Sequence, residues 1–275
     1  YLSIGPWFSH SCLSLHSKQV LSGERKGQDA LCLHPTDRKV GFKVVVGLDG
    51  KAGRAYAAEL AERGYVTLSP AYPHLANYWP NLGGQGYVSG TMKAIWDNSR
   101  GLDLLASFKF VDSSRGFGAI GHSLGGHNAI YTSVFDKRIT VIASSCGFDS
   151  YQDYYDGAER VWKFGAGWCQ IRYMPRLSNY RGRLTEIPYD FQELVAALAP
   201  RPFFVNAPLR DGNFRHKSVD RCVHSTLFDR IEKKRCIFFR VSREASFKLY
   251  ANAEASKHLF VGGNWKRSHV GICPG

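Results

Sequence analysis

Residues 117–131 read FGAIGHSLGGHNAIY. The apolar run up to Gly121 suits a buried strand and the run from Leu124 suits a helix. Between them lies Gly121-His122-Ser123-Leu124-Gly125, a G-x-S-x-G pentapeptide. A serine hydroxyl is a poor nucleophile unless a base stands beside it and its geometry is fixed. A strand that turns sharply into a helix supplies the geometry, because the middle residue is pushed out at the top of a sheet. Glycines two residues to either side permit the turn and the close strand–helix approach. Ser123 is therefore the candidate nucleophile, and the Leu124 N–H, at a helix N-terminus, points towards a developing oxyanion. The competing reading is that Ser123 only caps the helix.

Outward from this stretch, strand-like and helix-like runs alternate. ALCLH (30–34) reads as a short strand. AYAAELAERGY (55–65) reads as a helix closed by Gly64, and VTLSPAYP (66–73) as a strand closed by prolines. YVSGTMKAIWDNSRGLDLLASF (87–108) carries Met92, Ile95, Leu102 and Leu105 at helical spacing, weakened in the middle by Gly101. TVIASS (140–145) and PFFVNA (202–207) read as further strands. This alternation predicts an α/β chain with a mostly parallel central sheet covered by helices on both faces. The aromatic segment of about 148–190 is too long for an ordinary connection. It is expected to be a lid inserted between two strands, with FQELVAALA (191–199) returning to the sheet. Residues 1–28 have no clear period and are expected to form an irregular arm before a domain spanning 29–275.

In chain order Ser, Asp, His, the triad acid follows the strand after the lid. PFFVNAPLRDGNF places Asp211 there, in an Asp-Gly that equally suits a plain turn. Asp149, after the preceding strand, is the runner-up. The second oxyanion donor is expected in LHPT (33–36). Pro35 has no N–H, which leaves Thr36.

Of the chain's 275 residues, 44% are hydrophobic and 21% charged, which excludes wholesale disorder and allows a large core. No apolar run is long enough to span a membrane. Seven cysteines, an odd number with no C-x-x-C pair, form neither a disulfide framework nor a zinc site and point to a reducing compartment. The formal charge of +13 is concentrated at the end: Phe214 to Gly275 holds 13 Lys/Arg against 5 Asp/Glu. With no nucleic-acid motif beside it, this basic segment reads as a solvated face rather than a polyanion site.

Taken in order, HPTDRKVG, YAAELAERGYVTLSPAYP, SGTMKAIWDNSRGLDLL, GHSLGGHNA, SSCGFDSYQDYY, RYMP and ALAPRPFFVNAPLRDGNF resemble a known family. They are similar to the serine α/β-hydrolases grouped with dienelactone hydrolases and acetyl-xylan-type esterases. The resemblance covers roughly residues 30–214; both ends depart from the pattern. It implies an α/β-hydrolase fold that cleaves carboxylic esters of small molecules or polymers without metal or organic cofactor. Ser123, Asp211, Thr36 and Leu124 match its site. Dienelactone hydrolases proper carry a cysteine nucleophile, so the serine here implies an esterase. Substrate preference is expected from the lid aromatics Tyr151, Tyr154, Tyr155, Trp162 and Trp168 and from the Tyr78-Trp79 loop.

The family places its general base just after the last strand. If CIFFRV (236–241) is that strand, the slot falls within SREASFK, which has no histidine; Ser246 lies nearest. His216 and His224 fall in a helix-like stretch before it. His122 and His127 flank the elbow too closely to turn back onto the Ser123 Oγ. His258 precedes the run HLFVGG and His269 follows it. If HLFV is the last strand, His269 takes the base's place, and the expected triad is Ser123, Asp211 and His269. The alternative is a hydrolase fold that lacks its base and serves as a binding module.

Overall fold

The computed structural model describes residues 2–4, 12–228 and 237–242. Among these, eight strands form one sheet: β1 (Leu2–Ile4), β2 (Cys12–Ser17), β3 (Asp29–Leu33), β4 (Val66–Pro70), β5 (Phe117–His122), β6 (Ile139–Ser145), β7 (Phe203–Pro208) and β8 (Ile237–Ser242). Their order is β1-β2-β4-β3-β5-β6-β7-β8. β1 pairs antiparallel with β2 and β2 with β4; every later pairing is parallel. This is the arrangement of the α/β-hydrolase fold, with the elbow strand β5 at the centre.

The helices are α1 (Lys18–Leu21), α2 (Tyr56–Glu62), α3 (Gly90–Ser107), α4 (Leu124–Phe135), α5 (Phe191–Leu198) and α6 (His216–Phe228). Alternate residues of β3 feed two separate cores. Ala30 and Cys32 pack with Tyr56 and Leu60 of α2, whereas Leu31 and Leu33 pack with Leu102 and Leu105 of α3. A strand buried on both faces has no polar alternation, which is why the parallel strands read as continuous apolar runs. No helix among the described residues is long and apolar enough to cross a membrane.

Two expectations about regular elements need correction. Residues 12–17 are not irregular: CLSLHS forms β2 and pairs with β4. Its period of two is present, but Ser14 and His16 are buried along with Leu13 and Leu15, so no solvated face marks it. In α3 the inward face is Thr91, Ala94, Asn98, Leu102 and Leu105, while Met92 is exposed and Ile95 half-buried. Gly101 does not interrupt the helix. A Cβ there would lie 2.8 Å from Leu68 Cδ2, so its bareness lets α3 settle on β4.

The segment between β6 and α5 contains short 3-10 turns and no strand. It is anchored by Asp190, which caps α5 in a capping box with Glu193 and also accepts hydrogen bonds from the Tyr151 N–H and the Ser150 hydroxyl. Tyr151 and Trp162 are completely buried. They are the lid's own rings buried in the core rather than walls of a substrate pocket, which corrects the role expected of them.

Candidate active site

Ser123 sits between the end of β5 and the start of α4 with φ 53° and ψ −120°. Its hydroxyl makes no capping hydrogen bond, so the capping reading does not hold. The turn is possible only because two glycines let backbones touch. A Cβ on Gly121 would lie 2.1 Å from the Gly125 carbonyl carbon, and one on Gly125 would lie 1.8 Å from the Leu33 oxygen. The elbow is stitched to its neighbours beyond the strand ends. The Ser123 N–H donates to Ser145 O (2.8 Å) and the Cys146 N–H to Asn206 O (3.0 Å).

One residue before the elbow, the register aligns His122, Ser145 and Asn206 on β5, β6 and β7. His122 Nδ1 lies 3.3 Å from Ser145 Oγ, which also accepts from Asn206 Nδ2 (3.0 Å). Burial, with the nearby Arg54 and Lys51 charges, lowers the His122 pKa to about 3, so the ring stays neutral. His127 is wholly buried, stacked on Trp168 at 4.3 Å between ring centroids. Burial lowers its pKa to about 3 as well. Both histidines are packing groups, as their closeness to the elbow led us to expect.

Thr36 lies on the loop after β3, beside the elbow that Leu33 abuts, and its Oγ1 is 2.9 Å from the Tyr173 hydroxyl of the lid. The loop is held by His34, a residue whose part was not legible in the sequence. The Tyr72 N–H donates to His34 Nε2 (3.1 Å), which leaves the Nδ1 proton to donate to Pro35 O (2.7 Å). Burial lowers the His34 pKa to about 4, so this tautomer persists at neutral pH. The Tyr72 hydroxyl in turn donates to Arg172 O (2.7 Å), tying the same loop to the lid.

Asp211 follows β7 and lines one narrow cleft with Cys146, Asn206 and Phe214. Its Oδ1 accepts from the Asn213 (2.8 Å) and Phe214 (3.2 Å) N–H groups, so the residue also builds its own turn. Cys146, at φ 50°, stands beside it; burial and then the Asp211 charge push its thiol up to about 12, far from a thiolate. Asp149 is almost fully buried, with Oδ2 accepting from the Arg215 N–H (3.3 Å) and Oδ1 unpartnered. Burial, reinforced by Asp153, Asp190 and Asp211, raises its pKa to about 8. Asp211 and Asp149 thus both stand at the carboxyl ends of neighbouring strands, and the chain order that puts the acid after the strand following the lid keeps Asp211 as the candidate. Of CIFFRV, residues 237–241 do fall in β8, which is parallel to β7 and outermost among the described strands. His258 and His269 lie outside the described residues, and His216 and His224 are on α6, with His224 Nδ1 bound to Asp220 O.

Residues 74–227, more than half of the chain, match the family of fungal glucuronyl esterases. The chain belongs to the glucuronyl esterase family. The solved structures it resembles agree in fold. A glucuronoyl esterase from Solibacter usitatus matches at 17% identity and TM-score 0.57, over 86% of this chain and 73% of that one. A glucuronoyl esterase from Teredinibacter turnerae matches at 14% and 0.57, over 89% and 69%. A Pyrococcus furiosus esterase matches at 16% and 0.56, over 85% and 76%. Curated protein sequences give no significant match. The likeness to serine esterases read from the sequence is thus correct, and this glucuronyl esterase family member is an α/β-hydrolase of the ester-cleaving kind.

Proposed function

We propose that the protein hydrolyses esters of glucuronic acid through an acyl-enzyme on Ser123. The observation that carries this is the strained, uncapped serine at the elbow of a glucuronyl esterase family chain. In this mechanism the Ser123 Oγ attacks the ester carbon while a histidine takes its proton. The Leu124 and Thr36 N–H groups hold the oxyanion, and the alcohol leaves with the proton returned by the imidazole. Water then repeats the sequence in reverse and frees the acid. Asp211 orients the imidazole, and His269 is the histidine we assign as base. The lid contributes Tyr173, which fixes Thr36, and half-buried Tyr154, which stands beside Trp168 and Phe214.

A benzyl ester of glucuronic acid, assayed beside a nitrophenyl acetate, tests the reading. Turnover of the uronic ester with a higher kcat/KM than the acetate, lost in Ser123→Ala, is expected. Turnover that survives Ser123→Ala would overturn it.

A second reading has its own support. β8 ends at Ser242, and the sequence has no histidine between there and His258. Without a base in reach, the fold would bind esters and cleave them slowly. His269→Ala separates the two: it should lower kcat by about 10³-fold or more at unchanged KM if His269 serves as base.

A further inference from the structure

The ion pairs of the described residues gather on helices, on the lid and around α6: Lys93–Asp97, Arg100–Asp103, Arg138–Asp103, Arg138–Asp136, Arg181–Glu159, Arg183–Glu186, Arg215–Asp156, Arg221–Asp153 and His224–Asp220. The loop between β3 and α2 differs. From Pro35 to Arg54 it carries five Lys/Arg (38, 39, 43, 51 and 54) against two Asp. Arg38, Lys39, Lys43 and Lys51 are exposed and form no ion pair among the described residues. The two carboxylates are already engaged by backbone: Asp37 Oδ1 by the Lys39 (2.8 Å) and Val40 (2.7 Å) N–H groups, Asp49 Oδ1 by that of Gly50 (2.6 Å). This loop leaves the carboxyl end of a parallel strand next to the elbow, where ligands of open α/β sheets bind.

The loop after β4 joins it to make one surface. A Cβ on Gly41 would lie 2.9 Å from the Ala76 Cβ, so the two loops are in contact. Three residues on, Trp79 is 65% exposed yet immobilised: its Nε1–H donates to Ala76 O (2.7 Å) and its ring packs on His74 at 5.2 Å. An exposed indole on the loop that touches the cation-bearing loop suits a chain that offers both apolar C–H faces and carboxylates.

We propose that the loops 35–54 and 71–80 form a subsite for an acidic polysaccharide, with Arg38, Lys39, Lys43 and Lys51 meeting uronate carboxylates and Trp79 stacking under a sugar ring. The choice of a polysaccharide rests on the glucuronic-ester reading above; the charged surface itself does not. The test is equilibrium binding to polygalacturonate, which contains no ester to cleave, so it reads the subsite whether or not the protein turns over an ester. The native chain should bind polygalacturonate and lose affinity as salt rises. A triple variant Arg38→Gln, Lys39→Gln, Lys43→Gln should bind about tenfold or more weakly at low salt. Trp79→Ala should cost about fivefold and keep that deficit at high salt. Unchanged melting temperatures certify that these exposed substitutions leave the fold intact. Variants that bind like the native chain would overturn the proposal. So would equal binding to an uncharged xylan, or binding to duplex DNA as tight as to polygalacturonate.

Discussion

Ser123 holds a conformation that costs a residue with a side chain about 1–3 kcal/mol. Replacing it separates function from stability. Ser123→Gly removes that strain, so it should abolish labelling by a fluorophosphonate while raising the unfolding free energy by about 1 kcal/mol. A glycine variant that still labels would show that the serine is not the nucleophile, and one that melts earlier would show that it is not strained. Gly125→Ala should fail in the opposite sense, because the new methyl meets the Leu33 carbonyl, which cannot yield as a side-chain tip can. Loss of both labelling and cooperative unfolding is expected. At the acid, Asp211→Asn should lower kcat by about 10⁴-fold, while Asp149→Asn should leave it within a few-fold. Reversal of that order would move the acid to the loop after β6. Ser123 was legible in the sequence because its chemistry and its backbone are written in five consecutive residues. His34 was not, because its role comes from the Tyr72 amide, brought to it by the pairing of β3 with β4.

The lid is an element held by polar ties on one side and by an aromatic core on the other. Asp156 makes a two-pronged ion pair with Arg215, Tyr155 donates to Asn213 Oδ1 (2.8 Å), and both lid residues sit at positive φ. These ties are exposed, and exposed ion pairs contribute about 0–1 kcal/mol each. The rings beneath carry the weight. Trp162→Ala should cost about 3–5 kcal/mol in chemical denaturation, whereas Asp156→Asn should cost under about 1 kcal/mol. A cheap Trp162 substitution would mean that the lid opens as a unit without touching the core. Helix α3 explains how far periodicity carries. Its existence and length were legible, but its inward face was not, since Thr91 and Asn98 point in and Met92 points out. Asn98 donates to the Thr132 hydroxyl of α4 (2.9 Å), so a polar pair occupies what the pattern reserves for apolar residues.

On the scale of the whole molecule, two buried carboxyls link stability to pH. Burial raises Asp29 to about 7 and Asp149 to about 8, and neither Asp29 oxygen has a partner. Between the ordinary value near 4 and these folded values, the native chain holds protons that the unfolded chain has released. Stability from these groups is therefore complete below about pH 4 and is lost as pH rises towards 8. Up to about pH 6.5 this loss is opposed by His34, His122 and His127, whose lowered pKa values favour the fold as the unfolded rings lose their protons. The linkage is therefore read as a difference: the melting temperature of Asp149→Asn relative to the native chain should climb as pH rises from 5 to 8. A melting temperature that climbs from pH 5 to pH 8 equally in both proteins would refute the linkage. The sheet from β3 to β8 was legible because each parallel strand is an apolar run bracketed by turn residues. β2 was not, because an edge-side strand with a buried polar half resembles no pattern, and the base lay beyond reach because topology, not local sequence, sets its place.

The elbow's amide bonds reach past the strands that carry them. Ser123 and Cys146 belong to no strand, yet their N–H groups are locked to β6 and β7. In deuterated buffer both should exchange on the slow schedule of the sheet's centre, while amides of the exposed loop around Leu48 exchange quickly. The candidate nucleophile would then keep time with the core of the protein, and movements of the lid would pass without loosening its position.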